Sequence, residues 1–551
     1  GAAVLCVTQP LGATAEGSVL VPGPEEGQPA DLLLKHGFPV EQVAEAAQVL
    51  ARWRGNGLRA LRSERAHALL RSLLPLFLAS FGQRNSPLAC LRRFDALLAR
   101  QHAGVQLLTL FERNPQLIDR IASIFDASAF LADHLADRPS ALEGLLEAEP
   151  DKVRTVVTRL HQVAEDIEDV EGLVTTLRPL LRGEEFRLSV AMLENRISEE
   201  RAERERTALA EAVMTVLWKA VEREHIARYG RVPGGGMAVI ALGKAGSREM
   251  MPGSDLDLLM VFDHPEAEQA SVIRAGEAGR SLAVGAYYTR QAHAFIAALT
   301  APGLEGPLYA VDMRLRPSGA AGPVAVSRAA FLRYHTDSAW TWECMALTRA
   351  RVVVAPATLR TTLQQDLARI LEGRIRATPP SCGTLLDDAR RMRARLARDL
   401  PPTSIWDIKR RSGGLMEVEF IAQIFQLCAA SVDARSTMTR QALRRLAAAG
   451  VLSQSDAAVL LEAETFWRRL QAQLRLLCGP VPPVELEKDM APTTLRVLLR
   501  NMRVRDLPTL IEQAARLGRD VRACFERLVG PLNSDDGSGQ AEPDGSVEQG
   551  A

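Results

Sequence analysis

Four things are scarce in this chain of 551 residues: paired cysteines, long apolar runs, net charge and aromatic side chains. The seven cysteines (Cys6, Cys90, Cys344, Cys382, Cys428, Cys478, Cys524) are scattered singly and form no C-x-x-C pair. That spacing argues against a disulfide framework or a zinc site and points to a reducing, cytoplasmic setting. No stretch of about 18 apolar residues occurs, so no membrane span is expected. The densest run, Leu69 to Phe77, is interrupted by Arg71 and Pro75 and reads as a buried helix. Lys+Arg and Asp+Glu balance at 67 each, and aromatics make up 5%. A chain built to grip nucleic acid usually shows a basic face, interleaved with aromatics where it binds single strands, so no nucleic-acid partner is expected.

What is present is the composition of an ordinary globular protein, 47% hydrophobic and 24% charged. The length exceeds one compact core. The first residue is Gly rather than Met, which points to a natural chain beginning further upstream. The expected fold class is α+β, mostly α-helical, with a mixed-sheet domain flanked by helical ones. Residues 1–30 read as an irregular lead-in and 31–185 as a helical linking or regulatory domain. A third domain covers 186–389, with an α/β core at 237–354. Residues 390–530 are helical again, and 531–551 form an acidic, Gly/Ser-rich tail expected to be disordered.

Local signals set the helix ends. Ser63 and Ser453 are placed as N-caps, and the Asn114-Pro115 and Arg138-Pro139 pairs mark boundaries, because the residue before proline avoids the helical region. Phe186 to Tyr229 reads as two long helices, with Leu209, Val213, Val216, Leu217 and Val221 on one apolar stripe. Dense Glu and Arg on the other face are expected to be solvated. Two helical runs are expected after the second strand, at 267–280 and 281–298.

The chemistry concentrates in MAVIALGKAGSREMMPGSDLDLLMVFD, residues 237–263. It reads as strand, glycine turn with a lysine, short helix, and a second strand opening at Ser254. Side chains two apart in a strand share a face, roughly 6.5–7 Å apart, so Asp255 and Asp257 project together. Paired carboxylates repel unless neutralised, and Mg²⁺ is the natural ion for one or two carboxylates plus a substrate phosphate. An alternating strand at 308–316, LYAVDMRLR, places Asp312, Arg314 and Arg316 on one face. Three carboxylates on neighbouring strands suit two-metal phosphoryl or nucleotidyl transfer. Gly243 and Lys244 offer close backbone approach and a cation, and the arginines offer planar forks for a triphosphate. A P-loop is excluded, because position 238 is alanine and Lys244 is followed by Ala245.

The pattern L-G-K-x₁₀-D-L-D-L with a later Asp312 resembles the nucleotidyltransferase superfamily that includes DNA polymerase β. Longer segments are more specific. LGKAGSREMMPGSDLDLLMVFD, LYAVDMRLRPSGAAGPVAV, AWTWECMALTRARVV and IKRRSGGLMEVEFIAQ resemble the glutamine synthetase adenylyltransferase family, as do AGVQLLTLFERNPQLI and LADHLADRPSALEGLL. The resemblance covers most of residues 40–530. It implies a Mg²⁺-dependent transfer of AMP from ATP to a tyrosine of glutamine synthetase, with glutamine and the PII signal protein setting its direction. Of the family's two homologous transferase domains, the wording RPSGAAGPVAV and WECMALTRAR is similar to the adenylylating one rather than the phosphorolytic, deadenylylating one. By the same resemblance Asp255, Asp257 and Asp312 are metal-binding carboxylates, and Gly243, Lys244 and Ser254 stand on the phosphate side. Ala245 and Ser247 stand where Leu and Gly are usual, and Glu417 where an Asp is common. Rival readings are the deadenylylating activity, a helical signalling scaffold with a silent transferase core, and a template-free RNA-modifying transferase. Trp340 and Trp342 are open between stacking on adenine and packing, and Glu417 and Glu419 between a helix N-terminus and the active-site cleft.

Overall fold

The computed structural model describes residues 29–532, apart from 56, 102, 146–152, 275–278, 304, 378–381 and 430–431. The lead-in and tail expected at 1–30 and 531–551 therefore lie almost wholly outside the described residues. By contacts the chain falls into two compact units, one up to Asp126 and one from Ala127 on.

The first unit is helical: α1 (Pro29–Lys35), α2 (Val40–Arg54), α3 (Glu64–Gly82), α4 (Pro87–Arg100), α5 (Gly104–Arg113) and most of α6 (Gln116–Ala127). Ser63 caps α3 by accepting the Ala66 N–H, the role its type and place predict. The core is a cluster of rings. Phe77 and Phe94 stand 4.2 Å apart, with Phe81, Phe111 and Trp53 around them. The Trp53 indole N–H is satisfied by Asp95 at 2.8 Å.

The second unit opens with α7 (Ala129–Asp137), α8 (Val153–Glu165), α9 (Val170–Leu193) and α10 (Glu199–Tyr229). The contact division falls at Asp126, where the sequence reading grouped everything to 185 together; α8 and α9 pack on α10 instead. The apolar stripe of α10 is buried as expected. Its charged side corrects expectation: Glu203, Glu205 and Arg206 are also buried. Helices α8, α9 and a later pair cover α10 from several sides, so these three charges are paired inside the protein, while Arg201 and Arg204 are exposed in i,i+4 pairs with Glu205 and Glu200 as expected.

The α/β part follows as β1 (Gly236–Ala241), α11 (Gly243–Ser247), β2 (Leu256–Asp263), α12 (Val284–Thr300), β3 (Val311–Asp312), β4 (Ala325–Ser327), α13 (Arg328–Asp337), α14 (Thr341–Leu347) and β5 (Arg351–Val354). The sheet runs β3-β2-β1-β5, with β4 also paired to β2. β1 is antiparallel to β2 and β5, whereas β3 and β4 lie parallel to β2, so the sheet is mixed. Its strands bury continuous apolar runs against α10 and α12.

Two sequence expectations fail here. The described part of 267–280 is not helical. Its N–H groups bond to distant segments, Val272 to Arg231 at 2.7 Å and Ser271 to Leu282 at 2.8 Å, in place of the i−4 carbonyls. The strand expected over 308–316 is only Val311–Asp312. The chain turns at once, because Arg314 N–H donates to Asp312 Oδ1 at 2.8 Å and Arg316 N–H to the Met313 carbonyl at 3.3 Å.

The remainder is helical: α15 (Ala357–Ala377), α16 (Gly383–Asp399), α17 (Leu415–Cys428), α18 (Thr439–Ala448), α19 (Gln454–Cys478), α20 (Leu486–Asp489), α21 (Pro492–Met502) and α22 (Leu507–Leu528). Ser453 caps α19 through the Asp456 N–H. No helix among the described residues is long and apolar enough to cross a membrane. The architecture is α+β and mostly helical, with a small nucleotidyltransferase-like mixed sheet, as expected.

Candidate active site

Register places the carboxylates. β2 and β3 pair in parallel with Asp257 opposite Asp312, and Asp255 precedes the first residue of β2 by one. One oxygen from each of Asp255, Asp257 and Asp312 lies within 4.8 Å of the others, all three half-buried. The third strand needed only two residues to achieve this. Leu256 N–H bonds the Ala310 carbonyl at 2.9 Å, and the pair of strands then diverges.

The glycine turn seats against the same cluster. Gly243 has φ +50°, and a Cβ there would meet Asp257 Oδ2 at 1.9 Å, so no larger residue fits. Lys244 is half-buried on α11. Burial, with the cations of Arg475 and Lys409 nearby, pushes its ammonium down to about 7. Burial, together with Asp255 and Asp312, pushes Asp257 up to about 6. Asp312 goes the other way: burial alone would raise it, but the bonds and charge of Arg314 hold it below the usual carboxylate range.

Arg314 grips Asp312 with Nε and Nη2 at 2.9 and 2.6 Å from Oδ2. It thus stays beside the cluster although it lies on a turn and not on the strand face. Arg316 is directed to main-chain acceptors, the Met313 and Gly322 carbonyls at 2.8 and 3.0 Å, away from the expected common face. The Ser254 hydroxyl folds onto its own loop and accepts the Met251 N–H at 2.9 Å.

An all-oxygen cluster in which Asp257 is pushed up by burial and then by its neighbouring carboxylates matches what a hard divalent cation requires. The donor set fits Mg²⁺.

Several residues around the site carried no assigned role in the sequence. Lys409, in the KRRSGG break before α17, lies near Lys244 and Asp257. Arg475 on α19 donates to the Pro252 carbonyl at 3.2 Å, inside the loop that leads to Asp255. The break was visible as a motif, but nothing local could show what it faces. Glu417 is fully buried between Arg393 (2.9 Å) and Arg522 (3.2 Å) and accepts the Gly413 N–H, so it holds the turn together. Glu419 pairs with Arg349 at 3.2 Å. Trp340 is 45% exposed at the start of α14, where Glu343 accepts its backbone N–H.

Comparison with known proteins agrees with this geometry. Residues 118–366 match the family described as glutamate-ammonia ligase adenylyltransferase, and residues 388–480 match the family described as GlnD PII-uridylyltransferase. The chain is similar to proteins named bifunctional glutamine synthetase adenylyltransferase/adenylyl-removing enzyme. It is 32% identical to the one from Rhodopseudomonas palustris strain TIE-1, over 92% of this chain and 50% of that protein. For Brucella suis the figures are 34%, 96% and 53%, and for Rhizobium meliloti 33%, 91% and 50%. The chain therefore spans about half the length of the curated relatives it matches. With its long motifs, its mixed sheet and its three gathered carboxylates, the chain is similar over residues 118–366 to the glutamate-ammonia ligase adenylyltransferase family.

Proposed function

We propose that this chain moves AMP from ATP to a tyrosine hydroxyl of glutamine synthetase and releases pyrophosphate. The observation that carries the reading is the meeting of Asp255, Asp257 and Asp312 beside the Gly243-Lys244 turn, in a chain similar to adenylyltransferases. Asp255, Asp257 and Asp312 would hold Mg²⁺, which on binding would neutralise the carboxylates, polarise the phosphates and lower the pKa of the attacking hydroxyl.

The chain's own residues supply the rest. Gly243 lets the turn approach Asp257, so a triphosphate reaches the carboxylates without a side chain in the way. Lys244, Ser254 and Arg314 line the phosphate side. Arg316, directed to main-chain carbonyls, acts by shaping the turn after Asp312. In the reaction the tyrosine oxygen forms a bond to the α-phosphorus as its bond to the bridging oxygen breaks; the hydroxyl proton leaves and pyrophosphate departs. Tyrosine has a pKa near 10, so its oxygen needs activation at neutral pH. Clamped by Arg314, Asp312 is a weak proton acceptor and serves better as a ligand that aims the hydroxyl.

The transferase domain occupies 186–389, with helical domains at 31–185 and 390–530 for docking and control. The match of residues 388–480 to a PII-uridylyltransferase family supports the PII signal protein as a partner of the C-terminal helices. Glutamine is the expected effector and the cytoplasm the expected compartment.

The test is to incubate the chain with Mg²⁺, α-labelled ATP and glutamine synthetase. Label is expected on the synthetase, and Asp255→Asn is expected to abolish it. No label, or equal label with the variant, overturns the reading. Release of ADP from pre-adenylylated synthetase and phosphate would assign the phosphorolytic direction instead.

A further inference from the structure

The loop between α11 and β2, residues 248–255, delivers Asp255 to the site yet contains no regular structure. It carries Pro252 and Gly253, the latter at φ +68°, so its own covalent geometry does not fix it. Inside the loop region the bonds are few: Glu249 N–H to the Lys244 carbonyl at 2.8 Å, and the Met251–Ser254 turn. What fastens it from outside is the burial of Met250 and Met251, Thr439 at the start of α18, and two arginines of α19. Arg468 of α19 pairs with Glu249 at 2.6 Å, and Arg475 of α19 donates to the Pro252 carbonyl at 3.2 Å. Seven residues is close to two helical turns, so both arginines project from one face, roughly 10 Å apart along the axis.

The first anchor is itself over-determined. Glu249, 3% exposed, also accepts the Thr439 N–H and hydroxyl at 2.9 and 3.2 Å. Arg468 is shared with Glu464 at 3.0 Å and with Glu203 of α10. Next to the second anchor, the buried Ser128 hydroxyl donates to the Leu476 carbonyl of α19 at 2.9 Å. Both arginines bond the loop, and Arg475 also lies near Lys244 and Asp255.

We propose that α19 sets the position of Asp255 by gripping the 248–255 loop through Arg468 and Arg475, which makes both arginines positioning residues for adenylyl transfer. The proposal rests on the reading of the carboxylate cluster given above. Because α19 lies within residues 388–480, a movement of the C-terminal helices would be felt first at this loop.

The experiment compares Arg475→Met, Arg475→Lys and Glu249→Gln with the unsubstituted chain, using Arg516→Ala on α22 as an exposed control. Two quantities are read: kcat and KM for ATP in the labelled transfer assay, and amide hydrogen exchange of peptides covering 248–256 and 236–241. Arg475→Met is expected to lower kcat by ~10–100-fold, with a smaller change in KM, since a displaced ligand costs transition-state geometry more than ground-state binding. Exchange over 248–256 should quicken while β1 stays protected. Arg475→Lys, which still donates to the carbonyl, should recover part of both. Glu249→Gln keeps the volume and an oxygen for the Thr439 N–H but removes the charge paired with Arg468, so it should fold and should loosen the loop. Unchanged loop exchange in both Arg475→Met and Glu249→Gln overturns the proposal, as does Arg475→Lys behaving like Arg475→Met. If the unsubstituted chain transfers no AMP, the reading of the site fails, while the exchange measurement still decides whether α19 holds the loop.

Discussion

The core of the first unit and the support of the 248–255 loop in the second are built in opposite ways. In the first, Phe77, Phe81, Phe94 and Phe111 pack tilted or edge to face in a buried aromatic cluster, in a chain where aromatics are scarce. In the second, the ground beneath the 248–255 loop is ionic: Glu203, Glu249, Glu464 and Arg468 are all buried, with Arg440 joining Glu464 at 2.8 Å. An apolar core gains from area removed from water and is nearly indifferent to direction. A buried ion cluster gains little net energy, because desolvation offsets attraction, but it fails sharply when one member is lost. The difference teaches where geometry, rather than bulk stability, is being specified: the charges are buried where a loop must sit in one place.

The comparison breaks most readily at Arg468. Replacing it with Met leaves three carboxylates without their shared cation and should cost about 3–5 kcal/mol in chemical denaturation. A loss under 1 kcal/mol would mean that the cluster is not ionic in solution.

Asp257 tests the opposite case, a charge whose surroundings do not satisfy it. Its carboxyl is raised from 3.8 to about 6, chiefly by burial and then by Asp255 and Asp312. Between these values the folded state holds more protons than the unfolded one. Stability without divalent cations should therefore rise as pH falls from 7 toward 4, through this group, and be lower above pH 6. Asp257→Asn in EDTA at pH 7 should gain about 1–2 kcal/mol after allowance for solvent screening. Thermal melting would show it, and a loss would remove the repulsion from the account.

In the aromatic core, Phe94→Leu keeps most of the volume and should cost about 1 kcal/mol. The same measurement on Arg516→Ala, whose pairing with Glu462 is exposed, should move stability by less than about 0.5 kcal/mol. An effect at Arg516 as large as at Arg468 would erase the distinction between buried and surface charge.

Legibility followed the range of the forces involved. Ser63 and Ser453 were readable as caps because a cap needs only the next three residues. Asp255 and Asp257 were readable because alternation is local to one strand. Arg314 and Arg316 were misplaced because a single side-chain bond from Asp312 to the Arg314 N–H ended the strand that their spacing implied. The Glu/Arg face of α10 was legible only in part, since Arg201 and Arg204 are exposed as the pattern implies while Glu203, Glu205 and Arg206 are buried. The pattern of a solvated helix and that of a helix whose charges are paired indoors are the same string of letters. Only the packing of α9 and α19 against α10 distinguishes them.

By itself, then, the sequence determined most of the helices and the caps at Ser63 and Ser453, the D-x-D strand, the glycine turn that only glycine can make, and the similarity to adenylyltransferases. These depend on neighbours within a few residues or on long literal matches. The tertiary structure alone decided that Asp312 stands opposite Asp257, that Lys409 and Arg475 face the site, and that Arg468 shares one charge among three buried carboxylates. Those contacts join residues tens to hundreds of positions apart. Electrostatics in a poorly solvated interior depends on distance in space, which chain spacing does not encode.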